Sequence, residues 1–331
     1  MSLKDIRREA RESLRGNWGT AIGAWLVAAL IPLGIVWFVT PIFGGIFGSI
    51  FEMILDALVN WLIGGILTAG LSWLFLGFVD RKTETFGNLF LGFKYFGKII
   101  GTTLLISLFL FLWALAIMLP AIIIVSIVLV ALGAPELATV VGFVAGFLSV
   151  FVIGIIGYRY AMAMFIIKDS PAISPRDAVH ESKELMRGHK WRYFLLQLQF
   201  LLWYLPGIIT VVVAIVVFLY GIGSAALANP LFAAQLAAGN FAAFESIAGS
   251  LVVAILLLLI GGLYWFGISF YVAPYRHAAN AVFYRRLANA PTMGAQSEAE
   301  TFVFANNTPP KETVVEDVLV KEEVPTFEVP E

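Results

Sequence analysis

The chain has 331 residues, of which 60% are hydrophobic and 13% charged, with a formal net charge of −1 and no cysteine. Soluble domains hold roughly 45–50% and 25% of these classes, and a chain of this length cannot bury such an apolar excess in its own core. A soluble fold is therefore excluded, and the missing cysteines remove disulfides, thiolate metal sites, iron–sulfur clusters and a cysteine nucleophile.

The first eighteen residues mix charges and open no cleavable signal peptide, because the apolar run behind them is long enough to stay in a membrane. Ser2-Leu3-Lys4-Asp5 reads as a capping box. Leu3, Ile6, Ala10 and Leu14 then recur at helical spacing and Gly16 stops the pattern, which predicts an amphipathic interfacial helix over 2–16. Six apolar stretches follow, at 19–39, 57–79, 99–131, 139–165, 195–221 and 247–274, each near or above the ~20 residues that cross a bilayer. Pro120 lies within the third, which predicts a kink or a break there. Ser174-Pro175-Arg176-Asp177 opens a second interfacial helix, with Pro at its first position, and Gly188 closes it. The segment 222–246, rich in Ala and free of Lys and Arg, is either a loop or a short helix on the outer surface.

Beyond Leu287 the composition changes. Residues 1–288 carry 19 Lys/Arg against 13 Asp/Glu, whereas 289–331 carry 2 against 9 along with Pro309, Pro310, Pro325 and Pro330. The division is a membrane domain over 1–288 and a disordered acidic tail over 289–331. The tail is expected to dock a protein partner or to fold back over basic surface.

Alternating the crossings places every Lys and Arg on one side, in 1–18, 80–98, 166–194 and 275–331, with Arg159 at the inner end of the fourth span. The other side holds Glu52, Asp56, Glu136 and Glu245 as its only charges. The positive-inside rule then puts both termini in the cytoplasm. The expected fold is all-α: a polytopic bundle of about six transmembrane helices with cytoplasmic interfacial helices.

Ala10 to Trp18 matches Ser182 to Trp191 with one residue inserted before the Trp, and each copy leads into a span. Phe86 to Lys98 reads as a degenerate third copy, giving three units of interfacial helix plus membrane hairpin. The stretch Ile173 to Ala178, then Glu181-Ser182-Lys183-Glu184-Leu185-Met186-Arg187-Gly188-His189-Lys190-Trp191-Arg192 and Phe194 to Leu198, resembles the central motif of an uncharacterised bacterial integral membrane protein family, domain of unknown function 975. Ala10 to Trp18 and Ala273 to Tyr284 echo its other patterns, so the resemblance covers about residues 3–288. The motif is similar, more distantly, to the membrane region of some glycerophosphodiester phosphodiesterases. The resemblance implies an architecture and a bacterial plasma membrane, and it carries over no catalytic residue.

Arg11, Arg15, Lys183, Arg187, Lys190 and Arg192 are candidate binders of lipid headgroups or other anions, although topogenic charge with i,i+4 pairing accounts for them as well. Trp18, Trp191, Tyr158, Tyr160, Tyr271 and Tyr275 read as interfacial anchors. Arg159 is expected to snorkel to the headgroups, and His180, His189 and His277 to be solvated and not to bind metal. Gly19/Gly23, Gly44/Gly48 and Gly142/Gly146 have the spacing of close helix packing. Nucleotide-binding loops, zinc-protease motifs and hydrolase elbows are absent from the sequence, and the spans hold almost no carboxylate for a proton relay. No cofactor or nucleic acid is implied. The expectation is a non-enzymatic membrane protein that engages lipids or a partner through its cytoplasmic helices. The alternative is a permease or translocator of lipid or peptide.

Overall fold

A computed structural model describes residues 2–131, 133 and 137–289. Glu136 and the acidic segment from residue 290 onward lie outside them. Helix α1 (Leu3–Ser13) is followed by α2 (Trp18–Phe38), the short α3 (Thr40–Phe47) and α4 (Ser49–Val79). A 3-10 segment (Phe86–Phe90) and α5 (Leu91–Lys94) lead into α6 (Phe96–Ala131). The fourth crossing comprises α7 (Ala138–Gly157), a 3-10 turn (Tyr158–Tyr160) and α8 (Ala163–Asp169). Then come α9 (Pro175–Leu185), α10 (Lys190–Leu202), α11 (Leu205–Ala228), α12 (Phe232–Ala237) and α13 (Phe241–Ala288). Six helical stretches are long and apolar enough to cross a membrane. The chain is a multi-pass membrane protein, all-α throughout its described residues.

Local chemistry explains most boundaries. Ser174 Oγ accepts the Asp177 N–H at 3.2 Å and donates to its carboxylate at 2.6 Å. At α1 the Ser2 hydroxyl accepts instead from Lys4, at 3.3 Å, one residue earlier than a capping box requires. Gly16 and Gly188 both stop their helices with positive φ, at 82° and 76°, where a Cβ would be strained. The third span runs unbroken through Pro120. The fourth is interrupted by the 158–160 turn, and the fifth divides between Leu202 and Leu205, where Pro206 has no N–H to offer the Leu202 carbonyl. There the chain tightens to i→i−3 bonds, Trp203 to Phe200 and Tyr204 to Leu201, and the Tyr264 hydroxyl donates to the adjacent Trp203 carbonyl at 2.8 Å. In 222–246, α11 continues to Ala228 and α12 supplies a short helix.

Sequential spans pair into three hairpins, α2 with α4, α6 with α7, and α11 with α13. Their packing is uneven along the membrane normal. The main hydrophobic core runs from Ile6, Leu14 and Ala24 through Leu67–Phe78 and Met162–Ile167 to Val272–Leu287, all at the end of the bundle that carries the Lys and Arg. At the opposite end a small cluster of Ala225, Phe232, Ala243 and Ile247 ties α11 to α13. Between them, side chains such as Ile123, Phe147, Val216 and Leu259 are exposed, as hydrocarbon solvent allows. Helix α4 is the central post: 61% of its most apolar window is buried, against 6% for α6.

Of the three glycine pairs with packing-motif spacing, one takes part in close packing: a Cβ at Gly44 would come within 2.8 Å of the Glu52 Cβ of α4, whereas one at Gly19, Gly142 or Gly146 would meet open space. Close approach of backbones occurs at Gly70, where a Cβ would overlap the Leu89 carbonyl, and at Gly207, where a Cβ would lie 3.5 Å from the Gly261 carbonyl.

The basic end has a cyclic order. The segment 86–94 packs on α4, α9 packs on α8 and the 158–160 turn, and α1 packs on α13. Each interfacial segment therefore sits on the second span of the hairpin before it, and α1 closes the ring on the last hairpin. At 48 residues and about 1.5 Å per residue, α13 is long enough to cross hydrocarbon and still project into this ring.

Candidate functional site

The basic end is built on two matching helices. α1 and α9 have eleven residues each and bury equivalent positions completely or nearly so: Ile6 with Ala178, Ala10 with Ser182, Leu14 with Met186. Ser182 adds a polar peg, donating to the Arg159 carbonyl at 3.0 Å and accepting the Met162 N–H at 3.2 Å. This peg welds α9 to the inner end of the fourth span.

Their outward faces carry the cations singled out in the sequence. Arg11, Arg15, Lys183, Arg187 and Arg192 are exposed and Lys190 is half-buried. They do not form one site. α1 lies on α13 and α4, while α9 lies on α6 and α8. The Arg11 guanidinium is 6.0 Å from the Tyr275 ring centroid. Around Lys190 the charges that act are Arg159, Arg187 and Lys183. Burial first, and then these three cations, hold the Lys190 ammonium below the ordinary lysine pKa. The Arg159 guanidinium lies 5.8 Å from the Trp113 ring centroid of α6.

The aromatic residues divide into two groups. Trp18 is half-buried and stacks on Tyr271 at 5.4 Å, and Trp191 is 63% exposed and stacks on Phe194 at 5.0 Å. Tyr158 is half-buried against Tyr193. Tyr160 and Tyr275, expected as interfacial anchors, are instead buried. Tyr160 stacks on Phe109, and the Tyr275 hydroxyl donates to the Arg7 carbonyl at 3.1 Å; both are packing residues. His277, expected to be solvated, is instead half-buried, its ring stacked on Phe75 at 5.4 Å. Among the described residues no group of three His, Asp or Glu is placed to hold a metal ion.

A second constellation escaped the sequence reading. Arg285, near the end of α13, bridges the ends of two other spans. Its Nε and Nη2 donate to the two carboxylate oxygens of Asp80 at 2.7 and 2.6 Å. Nη2 also reaches Asp169 Oδ1 at 2.9 Å, Nη1 pairs with Asp169 Oδ2, and the Tyr284 hydroxyl donates to that same Oδ2 at 2.7 Å. Every oxygen of both carboxylates is engaged. Beside this clamp, Lys168 lies 3.8 Å from Glu84 and donates to the Trp73 carbonyl, while Trp73 Nε1 donates to the Met164 carbonyl at 2.7 Å. Arg286 holds Glu9 of α1 at 2.7 Å. One signal did lie in the sequence. Asp80 and Asp169 end spans, where helix carbonyls repel a carboxylate and favour a cationic partner; Lys82 reaches Asp80 at 3.8 Å, and Arg285 joins both.

Replacing Arg285 by Gln leaves two carboxylates facing each other. Breaking a buried pair costs about 3–5 kcal/mol. This site is partly open to water, with the three side chains 17–31% exposed, so roughly 2 kcal/mol is expected after screening. Thermal unfolding of the purified R285Q variant should show the drop, and D80N/R285Q/D169N should recover most of it.

The comparisons support one of the two resemblances. A family model described as Protein of unknown function (DUF975) matches residues 1–291. No curated protein and no solved structure matched the chain. The more distant likeness to phosphodiesterase membrane regions is carried by the motif alone. With the model spanning the whole membrane domain, the chain belongs to the family described as Protein of unknown function (DUF975).

Proposed function

We propose that this chain is a non-enzymatic protein of the bacterial plasma membrane that engages anionic lipid headgroups through its basic end, which faces the cytoplasm together with both termini. One observation carries the reading: the cations divide into paired and unpaired sets. Arg8, Lys82, Lys168, Arg187, Arg285 and Arg286 each have a carboxylate within 4.0 Å. Thirteen others have none among the described residues; of these, Arg11, Arg15, Lys183, Lys190 and Arg192 lie on or just beyond the interfacial helices. Near an anionic leaflet each such residue contributes about 1 kcal/mol of attraction. The closure of the clamp supports the non-enzymatic part, since its carboxylates are all engaged and none is poised as a general base. The sorting of charge supports the orientation.

The full chain, reconstituted in bilayers of mixed anionic and zwitterionic phospholipid, should enrich the anionic species around itself. Neutralising Arg11, Arg15, Lys183, Arg187, Lys190 and Arg192 to Gln should lower that enrichment at least tenfold; equal enrichment by both proteins would overturn the reading. For orientation, the cysteine-free chain accepts single reporter cysteines at Arg176 and Asn240. In intact cells a membrane-impermeant thiol reagent should label the second and spare the first. Labelling of both from outside would contradict the assigned sidedness.

A further inference from the structure

The two interfacial helices are related in sequence but not in electrostatic surroundings. On α1, Arg8 is met by Asp5 at 3.5 Å and Glu12 at 4.0 Å, Glu9 is taken by Arg286, and Arg11 rests over Tyr275. At the end of α9 one carboxylate, Glu184, meets Arg187 at 3.3 Å, and Arg159, Lys183 and Lys190 have no acid within bonding distance among the described residues. Four positive groups, from the 158–160 turn, from α9 and the loop after it, and from the start of α10, thus lie at one corner, where the Ser182 hydroxyl of α9 donates to the Arg159 carbonyl at 3.0 Å. Such repulsion destabilises a folded chain unless a counter-charge is bound. α10 begins at this corner with no side-chain cap, so its first amide N–H groups are available as donors.

The corner is also the junction between the second and third hairpins, and its wall is aromatic. Phe151 of α7 meets Phe194 of α10 edge-on at 5.9 Å, and Phe194 stacks on Trp191. Phe151 is 50% exposed and Trp191 63%, so an apolar strip descends from the cations along the lipid-facing surface. A soluble anion would gain nothing from that strip, whereas a lipid would use both parts.

We propose that Arg159, Lys183, Arg187 and Lys190 form a site for the phosphate of an anionic glycerophospholipid, whose acyl chains lie along the Phe151–Phe194–Trp191 strip. This rests on the lipid reading above and narrows it to the second copy of the repeat. The Ser182 bond to the Arg159 carbonyl fixes that residue's backbone beside α9, which is why spacing along α9 alone does not reveal it.

The test is retention of phosphatidylglycerol by the delipidated full chain, followed by native mass spectrometry, with phosphatidylcholine of the same acyl chains as reference. The R159Q/K183Q/K190Q variant should lose at least tenfold in phosphatidylglycerol affinity, and R11Q/R15Q less than threefold. R159K/K183R/K190R, which keeps the charge, should stay near the original. Equal losses from the two neutralised sets, or a loss confined to R11Q/R15Q, would overturn the proposal while leaving general lipid engagement intact. If the original chain bound both lipids alike, the broader reading would fall with it. Inorganic phosphate or glycerol 3-phosphate, at concentrations matching the lipid, should not displace it; full displacement would mean a soluble anion site and overturn the lipid assignment. F151A/W191A alters no charge and keeps the question answerable if the triple variant does not fold. It should weaken retention about fivefold, and unchanged retention would count against the proposal.

Discussion

Asp80 and Asp169 each stand at the carbonyl end of a membrane-spanning segment, where the helix's own partial charges oppose them. Two such carboxylates brought together repel each other as well. Arg285 resolves both conflicts at once, because its planar guanidinium carries enough donors to serve two carboxylates simultaneously. The three residues end or follow the second spans of the three hairpins. Satisfying Arg285 therefore brings three hairpins to a common point, and the core of Phe75, Phe78, Ile166 and Phe283 condenses around it. Away from that point the hairpins are solvated by hydrocarbon, and nothing in lipid drives apolar faces together.

The interfacial segments follow from the same arrangement. Each must bury an apolar stripe, and the site available is the end of the preceding hairpin's second span. Gathering those ends into one hub creates three neighbouring docking places, filled in order by 86–94, α9 and α1. α1 has to travel to the last hairpin to complete the ring, and the Glu9–Arg286 pair and the Tyr275 bond to the Arg7 carbonyl fix it there. Cations used in this framework are neutralised. Of those left over, Arg11, Arg15, Lys183 and Arg192 are exposed.

Much of this was legible in the sequence. Hydrocarbon thickness forces long charge-free runs, so six crossings could be marked. Cap chemistry is local, so Ser174, Gly16 and Gly188 announced their roles. The repeat showed because α1 and α9 solve the same docking problem with matched residues. The third copy was legible only as degenerate: it is a 3-10 segment and a single helical turn, and it ends in no left-handed glycine. What stayed hidden was long-range. Arg285 looks like any other topogenic cation until the chain brings Asp80 and Asp169 to it, and Tyr160 and Tyr275 look like anchors until neighbouring helices cover them. Pro206 marked a break and Pro120 did not, although both lack an N–H: at Pro206 the chain tightens to i→i−3 bonds and the Tyr264 hydroxyl adds a bond to the Trp203 carbonyl.

The hub's mechanical role is measurable directly. With spin labels on cysteines introduced at Arg81 and Ser170, pulsed dipolar spectroscopy in bilayers should give one narrow distance distribution for the original chain and a broad one when Arg285 is replaced by Gln. A distribution that stays equally narrow without the guanidinium would contradict the claim that this clamp holds the hairpins together.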